Sequence, residues 1–159
     1  MTRTVAEIQS LTIVSGGQTG ADRAALDWAI ARQVPHGGWC PAGRLAEDGW
    51  IHERYQLRET PSATYPERTR LNVEDSDATL IVSPHPLEGG TLLTVKHAEK
   101  VEKPVLVVTR ENEEDAPEYL RAFIQEHEVG ILNVAGPRAS GSAKVEGMVT
   151  RLFDRAFGF

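Results

Sequence analysis

Residues 11–22, LTIVSGGQTGAD, join a short apolar strand to a glycine turn and then to the start of a helix. The first residues are apolar or β-branched without alternation, which is typical of a strand covered on both faces in a parallel sheet. Open α/β sheets bind their ligands at the carboxyl ends of such strands. Glycines let the backbone approach an anion closely, and a following helix directs N–H groups and its dipole at that anion. The sequence therefore predicts an anion site at residues 15–20.

Two common nucleotide-binding motifs are excluded by the residues of this turn. The Gly-Lys-Ser/Thr sequence of a P-loop is missing, so there is no lysine for the β- and γ-phosphates. The glycine spacing is G-G-x-x-G instead of G-x-G-x-x-G, and no acidic residue ends the second strand to bind a ribose. NAD binding is therefore not expected. A tight turn that holds no ligand is the alternative interpretation.

Apolar runs and amphipathic segments alternate along the rest of the chain. The predicted strands are residues 11–15, a weaker run at 38–40, and 78–83, 104–109 and 131–135. Helical periodicity marks residues 22–32, a segment from Pro66, and residues 91–102, 117–128 and 142–157. This order predicts one Rossmann-like, doubly wound α/β domain over residues 1–159, with a mainly parallel sheet of about five strands. Residues 41–65 are long for a connection but contain Trp and Tyr, so we expect an ordered lid or an intersubunit arm.

Composition narrows the class of protein and its partners. A hydrophobic fraction of 40% and a charged fraction of 25% fit a soluble globular domain. A net charge of −6 argues against contact with a nucleic-acid backbone. No run approaches the roughly 20 apolar residues of a membrane span, and the first ten residues lack the apolar core of a signal peptide. The single cysteine excludes an internal disulfide. We expect a cytoplasmic protein that binds neither nucleic acid nor membrane.

Two further turns resemble the first in position, since each follows a predicted strand. Gly89, Gly90 and Thr91 open a predicted helix with Thr91 as a natural N-cap, and the turn at residues 133–142 supplies Arg138. On the helix from Pro66, Arg68 and Asn72 share one face. Arg68 is suited either to a ligand anion or to an acidic partner in a subunit interface. Together these features predict a small phosphate-bearing ligand.

No arrangement of residues predicts catalysis or metal binding. The five histidines have no metal-ligand spacing, and neither a Ser/His/Asp set nor an HExxH motif is present. Cys40 is interpreted as a small buried side chain. We therefore assign no catalytic residue and no metal ligand.

Several segments, in order and spacing, resemble the molybdenum-carrier family, which comprises molybdenum cofactor carrier proteins and their bacterial relatives. They are SGGQTGADRAALDWA, GWCPAGRLAEDG, GGTLLT, LNVAGPR and the more specific YPERTRLNVEDSD of residues 65–77. That family is similar in fold to a Rossmann-like group that includes cytokinin-activating phosphoribohydrolases, once labelled lysine decarboxylases. The resemblance implies a homo-oligomeric carrier, a tetramer or dimer, that holds and protects the molybdenum cofactor (molybdopterin) as cargo. It also implies molybdoenzymes or cofactor-synthesis proteins as partners.

The resemblance assigns the terminal phosphate of the cofactor to two of the glycine turns. The implied contacts are Gly16, Gly17, Gln18, Thr19, Gly20, Gly89, Gly90 and Thr91, with Arg44, Arg68 and Arg138 as looser candidates for charge neutralisation. Where phosphoribohydrolases resemble Pro-Gly-Gly-x-Gly-Thr-x-x-Glu, this chain has Thr94 at the glutamate position, and a hydroxyl cannot supply an ionised carboxylate. Holding the ligand without cleaving it is therefore favoured.

Two alternatives stay open beside the carrier. One is a nucleoside 5′-monophosphate phosphoribohydrolase, an N-glycosidase that uses Arg68 and a carboxylate from Asp22 or Glu88. The other is a module that senses nucleotides without cleaving them. For the homo-oligomer, residues 71–73 and the C-terminal LFDRAFGF are expected to leave apolar surface for a second copy.

Overall fold

The computed structural model describes residues 10–159 as a layered α/β fold, while residues 1–9 of the predicted domain lie outside the described residues. Along the chain, the strands are β1 (Thr12–Val14), β2 (His36–Gly37), β3 (Trp39–Cys40), β4 (Leu45–Ala46), β5 (Gly49–Trp50), β6 (Arg58–Glu59), β7 (Ala78–Val82), β8 (Val105–Val108) and β9 (Ile131–Ala135). The helices are α1 (Ala21–Ala31), α2 (Tyr65–Glu74), α3 (Gly89–Lys100), α4 (Ala116–Glu126) and α5 (Val145–Phe157), with a 3-10 turn at Ala139–Gly141.

The main sheet has five parallel strands in the order β2-β1-β9-β7-β8. Helices α1, α4 and α5 pack together on one side, and α2 packs with α3 on the other. This arrangement confirms the predicted Rossmann-like fold with a parallel sheet of about five strands. The weak run at residues 38–40 does not form the predicted strand of the main sheet. Strand β2 joins that sheet but ends at Gly37, and β3 pairs with β6 in a separate small sheet.

The larger hydrophobic core lies between the sheet and the α1–α4–α5 layer. Alternate residues of β7 and β9 point into it, as the pleat of a strand requires. Trp28 of α1 packs against Phe153 and Phe157 of α5, with ring centroids 5.0 and 5.6 Å apart. Phe153, Phe157 and also Val73 are buried within the chain, so the apolar surface expected at these positions is mostly core. Of this expected surface, Phe159 stays 52% exposed.

The opposite face of the sheet is partly polar where α2 covers it. Asn133 of β9 donates a 3.3 Å hydrogen bond to Thr79 of β7 in the interior. Asn72 of α2 binds the backbone of Trp39 twice: its Oδ1 accepts from the N–H at 2.8 Å, and its Nδ2 donates to the carbonyl at 2.9 Å. This pairing fixes α2 against β3 and so fixes Arg68, which lies one helical turn earlier.

Residues 41–65 are ordered by a small hydrophobic cluster and by one arginine. Ile51 and Tyr55 are buried against Leu26 and Cys40. Arg44 donates to four backbone carbonyls of the segment, those of residues 51, 52, 55 and 57, at 2.8–3.3 Å. The prediction of an ordered segment agrees with these contacts. Among residues 10–159, none of the helices has the length and apolarity that crossing a membrane requires.

Candidate functional site

A cavity of about 540 Å³ opens at the carboxyl ends of the central strands. This volume is in the range of small-molecule sites, and the position is the one where open α/β sheets bind ligands. The lining brings together five residues that the sequence predicted for the site: Gln18, Arg68, Gly90, Thr91 and Arg138. They come from two loops, from α2 and from the first turn of α3, so the crevice between the predicted turns exists.

The first glycine turn offers an anion fewer free N–H groups than its sequence suggests, because two of the five from Gly16 to Gly20 already have acceptors. Gln18 N–H donates to the Asp22 carboxylate at 3.3 Å, and Thr19 N–H donates to Gln18 Oε1 at 3.1 Å. Ala21 N–H donates to the Pro137 carbonyl at 3.2 Å. Among residues 16–20, Gln18 is the residue that lines the cavity.

Gly16 and Gly17 have structural reasons for lacking a side chain. A Cβ at Gly16 would lie 1.7 Å from Nη1 of Arg68, so glycine is what allows that guanidinium to cross the turn. Gly17 has a φ of +80°, and a Cβ there would meet Leu57 at 2.7 Å and Ile51 at 3.0 Å. Gly17 therefore faces residues 41–65 and not the cavity, and Gly20, likewise outside the lining, abuts the loop after β9.

The N-terminus of α3 is the open one. Among the described residues, the N–H groups of Gly89, Gly90 and Thr91 have no protein acceptor. A Cβ built at Gly89 or at Gly90 would meet nothing within 4 Å. The N-cap is Glu88 and not Thr91 as the sequence suggested, and no side chain satisfies the first turn. Free N–H groups and the positive end of the helix dipole make this helix start suitable for an anion.

A buried ion pair links the first turn to α2. Arg68 Nη1 lies 2.9 Å from Oδ2 of Asp22, and the two side chains are only 13% and 5% exposed. Arg68 therefore pairs with a carboxylate of its own chain, a partner that differs from both the ligand anion and the acidic residue of a subunit interface considered from the sequence. Burial raises the pKa of the Asp22 carboxyl above its ordinary value, while the charge and hydrogen bond of Arg68 act in the opposite direction.

Three side chains of the cavity wall carry buried polar atoms without hydrogen-bond partners. They are Gln18 Nε2, Arg68 Nε and His85 Nε2. Leaving such an atom unsatisfied costs about 1–3 kcal/mol, so each of the three needs a partner, such as a water molecule, an ion or a bound ligand. His85 was not predicted from the sequence, because it lacks metal-ligand spacing; its position between β7 and the second glycine turn was the one available signal.

The remaining predicted arginines occupy different places. The guanidinium groups of Arg138 and Arg68 each lie 5.4 Å from the ring centroid of Tyr65, at the cavity wall. Arg44 does not line the cavity, since its donors are used by carbonyls of residues 51–57. The looser assignment of Arg44 to a ligand anion therefore has no geometric support.

Thr19 acts outside the cavity, together with a carboxylate that the sequence did not single out. Its hydroxyl accepts from Ala139 N–H at 3.1 Å and donates to Glu47. Glu47 also accepts from the N–H of Ser140 at 3.0 Å and from its hydroxyl at 2.5 Å. These bonds attach the β4–β5 hairpin to the loop after β9, and they lower the pKa of Glu47, with Ser140 as the main cause.

Three more side chains of the lining decide what chemistry the cavity can perform. Thr94 is buried and donates its hydroxyl to the Gly90 carbonyl at 2.9 Å, while Asp22 and Glu88 supply carboxylates. No group of three or more His, Cys, Asp or Glu side chains arranged to hold a metal ion occurs among residues 10–159. The wall thus offers many donors, two carboxylates and one histidine.

Known proteins similar to this chain agree with the architecture and with the sequence resemblance. The model of the circularly permutated YpsA SLOG family matches residues 13–157. The chain belongs to this family. A crystal structure of a "putative molybdenum carrier protein" from Syntrophus aciditrophicus SB has a TM-score of 0.89 and 46% sequence identity, covering 92% of this chain and 93% of that chain. No protein of curated function matches the chain. The resemblance to molybdenum-carrier-like proteins is confirmed at the level of the family.

Proposed function

We propose that this protein binds the molybdenum cofactor through its terminal phosphate, and that it stores, protects and carries the cofactor without transforming it. The observation that carries the proposal is the pairing of an open helix N-terminus with buried, unpartnered donors in one cavity. Gly90 and Thr91 provide the backbone N–H groups, and Gln18 and Arg68 provide the side-chain donors. The name of the solved relative supports the same class of cargo.

The chemistry of the wall fits a phosphate monoester. Phosphate oxygens only accept hydrogen bonds when ionised, and the free N–H groups of α3 and the Nε of Arg68 only donate. Arg138 adds a second guanidinium at the wall. When bound, the cofactor would bring its own dithiolene sulfurs for molybdenum, and the residues named here would hold its phosphate.

A specific observation keeps a second function in consideration. Asp22 and Glu88 both line the cavity, so a nucleoside 5′-monophosphate would meet two carboxylates there. An N-glycosidase needs a carboxylate beside the scissile bond. Against this reaction, the position of the phosphoribohydrolase glutamate is Thr94, whose hydroxyl is bound to a helix carbonyl.

The experiment is anaerobic purification from a host that makes molybdenum cofactor, followed by measurement of molybdenum and of oxidised-pterin fluorescence per chain. We expect near-stoichiometric pterin and molybdenum in the natural protein and a strong loss in Arg68→Gln. Arg70→Gln is the matched control, because Arg70 lies on the same helix, outside the lining, and pairs with Glu74 on the surface. Gly90→Leu is a second test, since it places a side chain in open space without a clash.

The outcomes separate the candidate functions. The glycosidase would be favoured over the carrier if the natural protein holds no pterin and releases free base from AMP. This release should then be lost in Asp22→Asn or Glu88→Gln. A tightly bound nucleotide without turnover would indicate the sensor. Equal pterin content in Arg68→Gln, Gly90→Leu and the control would show that the phosphate does not bind in this cavity.

We further propose that the carrier acts in the cytoplasm as a dimer or tetramer and delivers its cargo to molybdoenzymes or receives it from cofactor-synthesis proteins. Leu45 and Trp50 support a contact surface, because they face each other across the β4–β5 hairpin and are 52% and 58% exposed. Light scattering at micromolar concentration tests the assembly: an oligomer is expected, and Trp50→Ser should weaken it. A monomer would contradict it.

A further inference from the structure

His85 lies in the loop between β7 and α3 and is held in a defined orientation. Its backbone N–H and carbonyl both bind the hydroxyl of Ser83, at 3.4 and 2.7 Å. Its ring Nδ1 lies 3.1 Å from the carbonyl oxygen of Pro86. The ring is thus fixed by local contacts before any ligand arrives.

The contact with Pro86 determines what the other ring nitrogen can do. A carbonyl oxygen can only accept, so Nδ1 must carry the proton in this contact. In the neutral ring, Nε2 is then the acceptor. This Nε2 is buried without a partner, and His85 is one of the residues that line the cavity. The nearby Glu88 carboxylate, also in the lining, is a second acceptor.

The donors of the cavity come from several elements, and one group of them starts close to His85 in the chain. Gln18 follows β1, whereas His85 and the start of α3, with Gly90 and Thr91, both follow β7. The side chain of Arg68 reaches the same cavity from α2. A ligand that satisfies all of these groups therefore has an acceptor group, such as a phosphate, for the donors and an N–H group for Nε2 of His85.

We propose that His85 determines the specificity of the cavity by accepting a hydrogen bond from an N–H group on the heterocycle of the ligand. The cavity then prefers phosphate monoesters of amino-substituted heterocycles, such as pterins or aminopurines, over phosphates without ring N–H groups. The inference rests on the proposed function, because it requires a phosphate bound by the donors of the cavity.

The test compares the binding of two probes by titration calorimetry. The probes are 6-hydroxymethylpterin monophosphate, which carries N–H groups, and phenyl phosphate, which is aromatic and carries none. In His85→Phe we expect about a 3- to 10-fold loss of pterin phosphate affinity, the usual value for one hydrogen bond, and no change for phenyl phosphate. His85→Gln should restore most of the pterin affinity, since an amide oxygen can accept near the position of Nε2. His97→Phe, on α3 and outside the lining, is the matched control.

Each result decides the question. Equal losses for both probes in His85→Phe would show a structural effect and overturn the inference, as would unchanged pterin affinity or a natural protein that binds both probes equally. If the natural protein binds neither phosphate ester, the proposed function is wrong, and this inference is wrong with it. Phosphate binding that depends on Arg68 but not on His85 keeps the proposed function and removes the specificity role.

Discussion

Gly16→Ala should destabilise the protein, because the new methyl group displaces Arg68 from its ion pair with Asp22. A Cβ at this position lies 1.7 Å from Nη1 of Arg68, whereas carbon atoms and their neighbours pack at about 3.5 Å. The guanidinium is the end of a flexible side chain, so it can move aside by about 2 Å at little steric cost. That movement separates it from Asp22, which is now 2.9 Å away.

The size of the effect follows from this separation. At an effective dielectric constant of about 20, an increase of the charge separation from 2.9 Å to about 4.7 Å weakens the attraction by about 2 kcal/mol. Complete loss of one partner of a buried pair costs about 3–5 kcal/mol. Both side chains are well shielded from water, so solvent screening lowers these values little. We therefore expect Gly16→Ala to cost about 2–5 kcal/mol in the free energy of unfolding.

Urea unfolding at neutral pH measures this cost, with Gly37→Ala as the matched control because a Cβ there meets nothing within 4 Å. The decisive measurement is the same substitution in an Asp22→Asn background. Since the neutral amide no longer needs the guanidinium charge, the cost of Gly16→Ala should fall by at least about 1.5 kcal/mol there. A cost no larger than that of Gly37→Ala, or one unchanged in the double variant, would refute the reasoning.

Three further predictions concern pH, the hairpin and the core. Burial raises the pKa of Asp22 above 3.8 in the folded state, so the free energy of unfolding should fall as pH rises from about 4 through the folded pKa. Asp22→Asn should flatten this part of a plot of urea midpoint against pH, and an unchanged slope would contradict the assignment. Glu47→Gln weakens the bonds to Ser140, and limited proteolysis followed by mass spectrometry should cut residues 45–50 faster than in the natural protein, whereas equal cleavage rates would speak against the attachment. Phe153→Ala removes a fully buried ring packed on Trp28, so it should lower the free energy of unfolding in urea by about 3–5 kcal/mol. A loss below about 1 kcal/mol would be incompatible with that packing.

The fold was predictable from the sequence because strands that are buried on both faces have a recognisable local sequence pattern. The runs that became β7, β8 and β9 are continuously apolar or nearly so, and the α5 segment has helical spacing of apolar residues. The weak run at residues 38–40 was misplaced because β2 and β3 are two residues each, too short for a periodic signal. Phe153 and Phe157 were expected at the surface, but Trp28 on another helix covers them.

The place of the candidate site could also be predicted, since parallel strands bring the turns that follow them to one edge of the sheet. The sequence alone determined this edge, the glycine turns on it and the face of α2 that carries Arg68. Only the tertiary structure decided which helix start has free N–H groups, which residue pairs with Arg68, and that His85 faces the cavity. The reason is that hydrogen bonds are satisfied between residues far apart in the chain, as in Arg68 with Asp22, 46 positions away, and Thr19 with Ala139, 120 positions away. A local pattern shows which groups can donate or accept, and the packed structure determines which of them are left for a ligand.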